Sequence, residues 1–319
     1  VFLFVLAGSA GTQSDVATTT SAASGDFSGL VDVGGRNIYL ECHGTGSPTV
    51  ILEAGYRASG RYWTDDLLHP EAPRLMVLPA VASFTHVCAY DRPGTYAPVG
   101  DDDLIGRSDP VAQPRSASDV VADLHDLLHT AGVPGPYVLA GHSLGGLFVR
   151  LYASTYPDEV AGLVLVDAYS ELLEHQLTPK QWAALVHFNM GIGSDTVLPI
   201  PGYGDVETIG FGTDNAVMRQ AAVASPLRPM PLAVLAKGIP FDLTEEMLGF
   251  PPDALEAALI AAQAELAGLV PSGRMSIASD SGHDIHQDQP ALVAEAIRQV
   301  VAGVRDPDTW YDLTSCCGK

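Results

Sequence analysis

Three kinds of residue in this chain could do chemistry together: a serine set between glycines, histidines in loop-forming stretches, and acids that follow apolar runs. Gly141-His142-Ser143-Leu144-Gly145 fits the pattern G-x-S-x-G, with a short strand expected over 137–140 before it and a helix expected to about residue 156 after it. Small residues two before and two after Ser143 allow a sharp, strained turn. That turn would leave the Ser143 hydroxyl exposed at a helix N-terminus, where developing negative charge is favoured. The backbone N–H of Leu144 is then placed to bind an oxyanion. The competing reading is a glycine-rich strand-to-helix turn without activity.

A serine hydroxyl is a poor nucleophile at neutral pH and needs a base, usually a histidine oriented by a carboxylate. Of the ten histidines, His283 in Ser281-Gly282-His283 is the expected base, because it follows the last strand and reaches the sheet edge where Ser143 points. His286 is expected to serve local packing, and His142, in the variable position of the turn, a structural role. His125 and His129 share a helix face beside Asp126 but lack the glutamate of a zinc-hydrolase helix, so no metal is expected.

The elements that must hold these groups read as short apolar runs alternating with amphipathic stretches, the pattern of a mostly parallel sheet flanked by helices. Strands are expected over 37–43, 49–54, 85–90, 137–140, 163–166, 232–236 and 274–278. Helices are expected over 118–130, capped by Ser116 or Ser118, and over 290–304, with Pro290 in the first turn. About sixty-five residues between the strands near Val166 and Leu232 break the rhythm. They carry Trp182, Phe188, Met190, Tyr203, Phe211 and Met218, as expected of a cap over a site; the alternative is a surface excursion with its own small core.

Composition narrows the partners. The chain has 319 residues, 47% hydrophobic and 17% charged, which suits a globular protein and not a disordered one. It has no apolar run of the roughly 18 residues a membrane helix needs. Sixteen Lys+Arg against 38 Asp+Glu give a net charge of −22, a field that repels phosphate backbones, so nucleic acid is not expected as a partner. No glycine-rich dinucleotide or phosphate loop is present, and no cofactor is expected. Residues 1–7 match the end of a secretory h-region, and residues 9–28 are nearly all small and polar, as in a tether. Export to the cell envelope or beyond is therefore expected. Leu6-Ala7-Gly8-Ser9 resembles a lipoprotein box with Ser9 where the lipidated cysteine would stand.

Taken together, the chain resembles serine hydrolases of the α/β-hydrolase fold, of esterase or lipase type, over roughly residues 30–304. The residues that carry the likeness are Glu53-Ala54-Gly55-Tyr56, Tyr90-Asp91-Arg92-Pro93-Gly94, the Ser143 turn, Val164-Leu165-Val166-Asp167 and Gly282-His283. The resemblance implies an α/β fold with a cap inserted after the sixth strand and no cofactor. It implies a second oxyanion donor after the third strand, here the N–H of Tyr56, with Ala54 where the family commonly has His. Asp91 and Arg92 would brace the sheet edge. Ser143 in place of Asp excludes the nucleophile of epoxide hydrolases and haloalkane dehalogenases.

Two acids compete to orient His283. Asp167 directly follows the run 163–166, where some members of the family place the acid; Asp242 stands near the commoner position but lies beyond Gly238 and Pro240. Asp167 is the preferred choice, and each has a plain reading as a helix cap. The resemblance also makes strands two and four neighbours, which brings Cys42 and Cys88 within reach of a disulfide; two buried thiols are the alternative. Cys316 and Cys317 lie in a polar tail.

These readings divide the chain into an export remnant and tether (1–28), a core in two parts (29–168 and 231–305), a cap (169–230) and a C-terminal tail (306–319). The expected activity is hydrolysis of a small, partly apolar carboxylic ester by Ser143, His283 and Asp167, with Leu144 and Tyr56 as the oxyanion donors. Lactone, thioester or amide hydrolysis and acyl transfer use the same parts and stay open. So does a non-catalytic envelope binding protein of the same fold.

Overall fold

The computed structural model describes residues 25–99, 103–193 and 205–312. The apolar run at 1–7, Ser9, Tyr203, Cys316 and Cys317 lie outside them. Eight strands form one sheet: β1 (Phe27–Asp32), β2 (Asn37–His43), β3 (Thr49–Glu53), β4 (Val87–Tyr90), β5 (Tyr137–His142), β6 (Val160–Val166), β7 (Leu232–Lys237) and β8 (Arg274–Ala278). Their order is β1-β2-β4-β3-β5-β6-β7-β8. β2 is antiparallel to β1 and β4; every other pair is parallel. This is the α/β-hydrolase fold.

Sequence pattern explains which strands lie centrally. β3, β4, β5 and β7 are buried at every residue, as strands covered by helices on both faces must be, whereas β2 alternates buried and half-buried positions. Successive side chains sort to opposite faces. Ile51, Leu139 and Leu165 join the layer under α1 (Ala117–Thr130) and α2 (Leu144–Thr155). Leu52, Ala140 and Val166 join the opposite layer with Val293, Ile297 and Val300 of the closing helix Pro290–Arg305. Ser116 caps α1: its hydroxyl accepts the Asp119 N–H, and the Asp119 carboxylate accepts the Ser116 N–H, a reciprocal pair that settles the choice against Ser118.

Several boundaries differ from the sequence reading. Strand β1 begins at Phe27, inside the stretch read as tether, because Phe27 packs on the core and the backbone pairs with Cys42. The stretch read as tail opens with a helix, Pro307–Asp312. Its Trp310 is 1% exposed and donates Nε1–H to Ser272 O at 2.9 Å, so one large side chain draws a polar segment onto the core. The segment after β6 does not enclose a core of its own among the described residues. Leu173, Leu177 and Leu185 pack instead on Leu248, Phe250 and Leu255, from beyond β7.

Cys42 and Cys88 face each other in the β2–β4 register and are joined by a disulfide. The bridge closes a loop of 46 residues, and loop-closure entropy assigns such a cross-link about 4 kcal/mol. The Cys42→Ser/Cys88→Ser variant is expected to lose stability on that order in urea unfolding. A loss under about 1 kcal/mol would show that the unfolded chain is already constrained.

Asp214, in α3 (Phe211–Ala224), is 1% exposed and ties that helix to α1 by accepting the Ala117 N–H at 2.9 Å, while its other oxygen has no partner. Burial pushes its carboxyl up to about 6. The folded state thus holds this proton more tightly than the unfolded state, so the contribution of Asp214 to stability falls as pH rises from the ordinary carboxylate range through about 6. Asp214→Asn is expected to raise Tm at pH 8 and to leave it near the parent value at pH 4. Equal shifts at both pH values would show that the buried charge is not the cause.

Candidate active site

β5 passes into α2 through Ser143, which sits at φ 51° and ψ −123°, a region costly for any residue but glycine. The surroundings hold it there. Ser143 N–H donates to Val166 O at 3.1 Å, and its own carbonyl accepts from Gly146 N–H at 2.9 Å and Tyr169 N–H at 2.7 Å. The turn also needs backbones in near contact: a Cβ added to Gly141 would lie 2.5 Å from the Gly145 carbonyl oxygen, and one on Gly145 would lie 2.5 Å from that of Glu53.

Asp167 is the first residue after β6, at φ 39°, and its N–H donates to Leu235 O at 2.7 Å. One carboxylate oxygen accepts the Lys237 N–H at 3.1 Å and the other lies 2.6 Å from His283 Nδ1. The structure thus brings Asp167 to His283. Asp242 is exposed and has no hydrogen bond or ion pair with a described residue.

His142 Nε2 lies 3.0 Å from the His283 carbonyl oxygen. A carbonyl only accepts, so that nitrogen carries the proton and braces the loop that bears His283. Burial, then the neighbouring His283, pushes His142 well below the usual imidazole range and keeps it neutral. His286 is held low in the same way, first by burial and then by His142, and packs on the Trp63 ring at 4.6 Å.

The loop after β3 is set by Arg92, which is 2% exposed. Its guanidinium pairs with Glu53, donates to Ala54 O at 2.9 Å and Gly55 O at 2.6 Å, and meets Glu207 at 2.7 and 3.0 Å. Because a trans peptide directs its N–H opposite to its C=O, fixing the Gly55 carbonyl also fixes the Tyr56 N–H. Among the described residues neither the Tyr56 nor the Leu144 N–H has a partner. The sequence marks Asp91 and Arg92 only as sheet-edge braces. The grip of Arg92 on this loop depends on Glu207, 115 positions away, a pairing without a local signal.

Ser143, Leu144, Asp167, His283 and Tyr56 line a cavity of about 400 Å³ whose remaining wall is mostly apolar, with Leu173, Leu185, Phe188, Phe211, Phe241, Leu255 and Leu259 among its residues. Gln263, from the helix Pro252–Ala267, stands in this wall and donates to Ala168 O at 2.7 Å, leaving its own oxygen buried without a partner. Sequence reasoning missed it, since the helix precedes β8 and lies outside the stretch read as cap. On the other side of Ser143 and His283 a cavity of about 260 Å³ is lined by Arg57, Tyr62, Tyr96, His142 and Asp284. One hydroxyl at a strained turn, one imidazole held by a carboxylate and two free N–H groups form a set suited to acyl transfer.

The comparisons with known proteins agree with this architecture. A model of the alpha/beta hydrolase family matches residues 42–296. An AB hydrolase superfamily protein of Gibberella zeae is 23% identical over 302 residues, covering 81% of this chain and 87% of that protein. An uncharacterized protein of Schizosaccharomyces pombe is 33% identical over 151 residues, 42% of this chain, and the match spans only 26% of that relative's length. Among solved structures, a thermophilic esterase from Thermogutta terrifontis has a similar fold, with a TM-score of 0.52 at 19% identity over 87% of this chain and 99% of that one. The chain belongs to the alpha/beta hydrolase family.

Proposed function

We propose that this protein is a serine hydrolase acting on carboxylic esters with an apolar acyl part. The observation that carries this reading is that Ser143, the His283–Asp167 pair, whose Nδ1 and Oδ2 are 2.6 Å apart, and Leu144 and Tyr56 with their free N–H groups all line one apolar cavity. His283 Nε2 takes the Ser143 proton as Oγ attacks the ester carbonyl, and the electron pair displaced onto the carbonyl oxygen is held by the Leu144 and Tyr56 N–H groups. When the tetrahedral centre collapses, the alkoxide leaves with the proton from His283 and the acyl group stays on Ser143. Water, deprotonated by the same imidazole, then releases the acid and restores the serine.

The larger cavity suits the acyl chain, and the smaller, polar one the alcohol. The Cys42–Cys88 bridge supports work in an oxidising compartment, outside the cytoplasm. No helix among the described residues is long and apolar enough to cross a membrane. The test combines a fluorophosphonate probe with p-nitrophenyl esters of increasing acyl length. Labelling at Ser143 and turnover that rises with chain length are expected. Neither labelling nor turnover would favour the non-catalytic binding protein and overturn the proposal.

A further inference from the structure

Far from Ser143 along the sheet, the last turns of α1 present His125 and His129, one helical turn apart, to Glu159, the residue just before β6. The sequence sets these histidines beside Asp126 without the glutamate of a zinc-hydrolase helix. The fold supplies one from 30 positions away. Glu159 Oε1 lies 3.0 Å from His129 Nε2 and 3.3 Å from His125 Nε2, and the three candidate ligand atoms all fall within 4.8 Å of one another. Ligand atoms around a tetrahedral zinc ion, with bonds of about 2.0–2.1 Å, stand about 3.3 Å apart. The two imidazole-to-carboxylate distances are already close to that spacing.

The surroundings orient these groups as a metal site requires. Asp126 Oδ1 stands 3.4 Å from His125 Nδ1, so this ring can donate Nδ1–H to a carboxylate while Nε2 turns its lone pair inward. The Tyr156 ring stacks on His125 at 4.0 Å and 14°. Tyr152 donates to the other Glu159 oxygen at 2.5 Å, which leaves Oε1 as the free donor atom. His129 is 55% exposed, so an ion can enter from solvent and keep water as its fourth ligand.

We propose that His125, His129 and Glu159 form a binding site for a divalent transition-metal ion, with Zn²⁺ the match for two imidazoles and one carboxylate. On binding, His129 carries its proton on Nδ1 instead of Nε2, His125 keeps its proton on Nδ1 toward Asp126, and both Nε2 lone pairs and Glu159 Oε1 bind the ion. The ion joins the end of α1 to the start of β6, the strand beside the one that bears the Ser143 turn.

The test is calorimetric titration of the whole chain with ZnCl₂, with Cys316 and Cys317 alkylated, beside thermal unfolding with and without the metal. One saturable site is expected, together with a rise in Tm. Asp126→Asn should weaken binding about tenfold, as losing an outer-shell partner does, and His129→Asn or Glu159→Gln should weaken it further. Binding or a Tm shift that is unchanged in His129→Asn, or no saturable binding by the parent chain, would overturn the proposal and leave these residues as a surface ion-pair cluster.

Discussion

Ser143→Ala is expected to lower kcat for an activated ester by about 10⁶-fold, the scale seen when a serine protease loses its nucleophile, while leaving urea unfolding within about 0.5 kcal/mol of the parent. The two expectations have separate causes. Ser143 is half-buried and lines the cavity, and its hydroxyl takes part in no hydrogen bond with a described residue, so its removal breaks none. The strained backbone is held by the bonds of residue 143 through its N–H and C=O, which alanine retains. Activity above about a hundredth of the parent value, in protein free of contaminating esterase, would show that another group attacks the ester.

Asp167→Asn is expected to lower kcat by about 10⁴-fold, as the corresponding change does in serine proteases. The physical reason lies in the two bonds of the carboxylate. Asparagine can keep its oxygen on the Lys237 N–H, which is 3.1 Å from Asp167 Oδ1, and must then turn its NH₂ toward His283 Nδ1. That forces the tautomer with the proton on Nε2, and such an imidazole cannot accept the serine proton. Asp242→Asn should stay within about tenfold of the parent, equal to about 1.4 kcal/mol in barrier, because Asp242 is exposed and has no hydrogen bond or ion pair with His283. A collapse of Asp242→Asn with Asp167→Asn left active would move the acid to the segment after β7.

Some of this protein could be read directly from its residues. Gly141-His142-Ser143-Leu144-Gly145 between an apolar run and a helical stretch carries part of its geometry locally: the need for a small residue at 141 comes from the Gly145 and Gly146 backbone, whereas that at 145 comes from Glu53 and Ala54 at the end of β3. The burial of residues 163–166 in β6 follows from the same kind of local evidence, since a short unbroken apolar run suits a strand covered on both faces.

What the tertiary structure decided are the meetings of groups distant in sequence. Asp167 and His283 are 116 positions apart, and their meeting depends on where β6 ends at the sheet edge. The Cys42–Cys88 bridge needed the antiparallel register of β2 and β4, which leaves no mark on either strand. The hold of Arg92 on the Tyr56 loop needed Glu207, and the apolar wall of the cavity needed Leu255 and Leu259 from beyond β7. Glu159 completes the His125–His129 pair for the same reason. Periodicity and local motifs report on neighbours within a turn or a strand, whereas electrostatic partners and shared apolar walls are fixed only when the sheet order brings distant segments side by side.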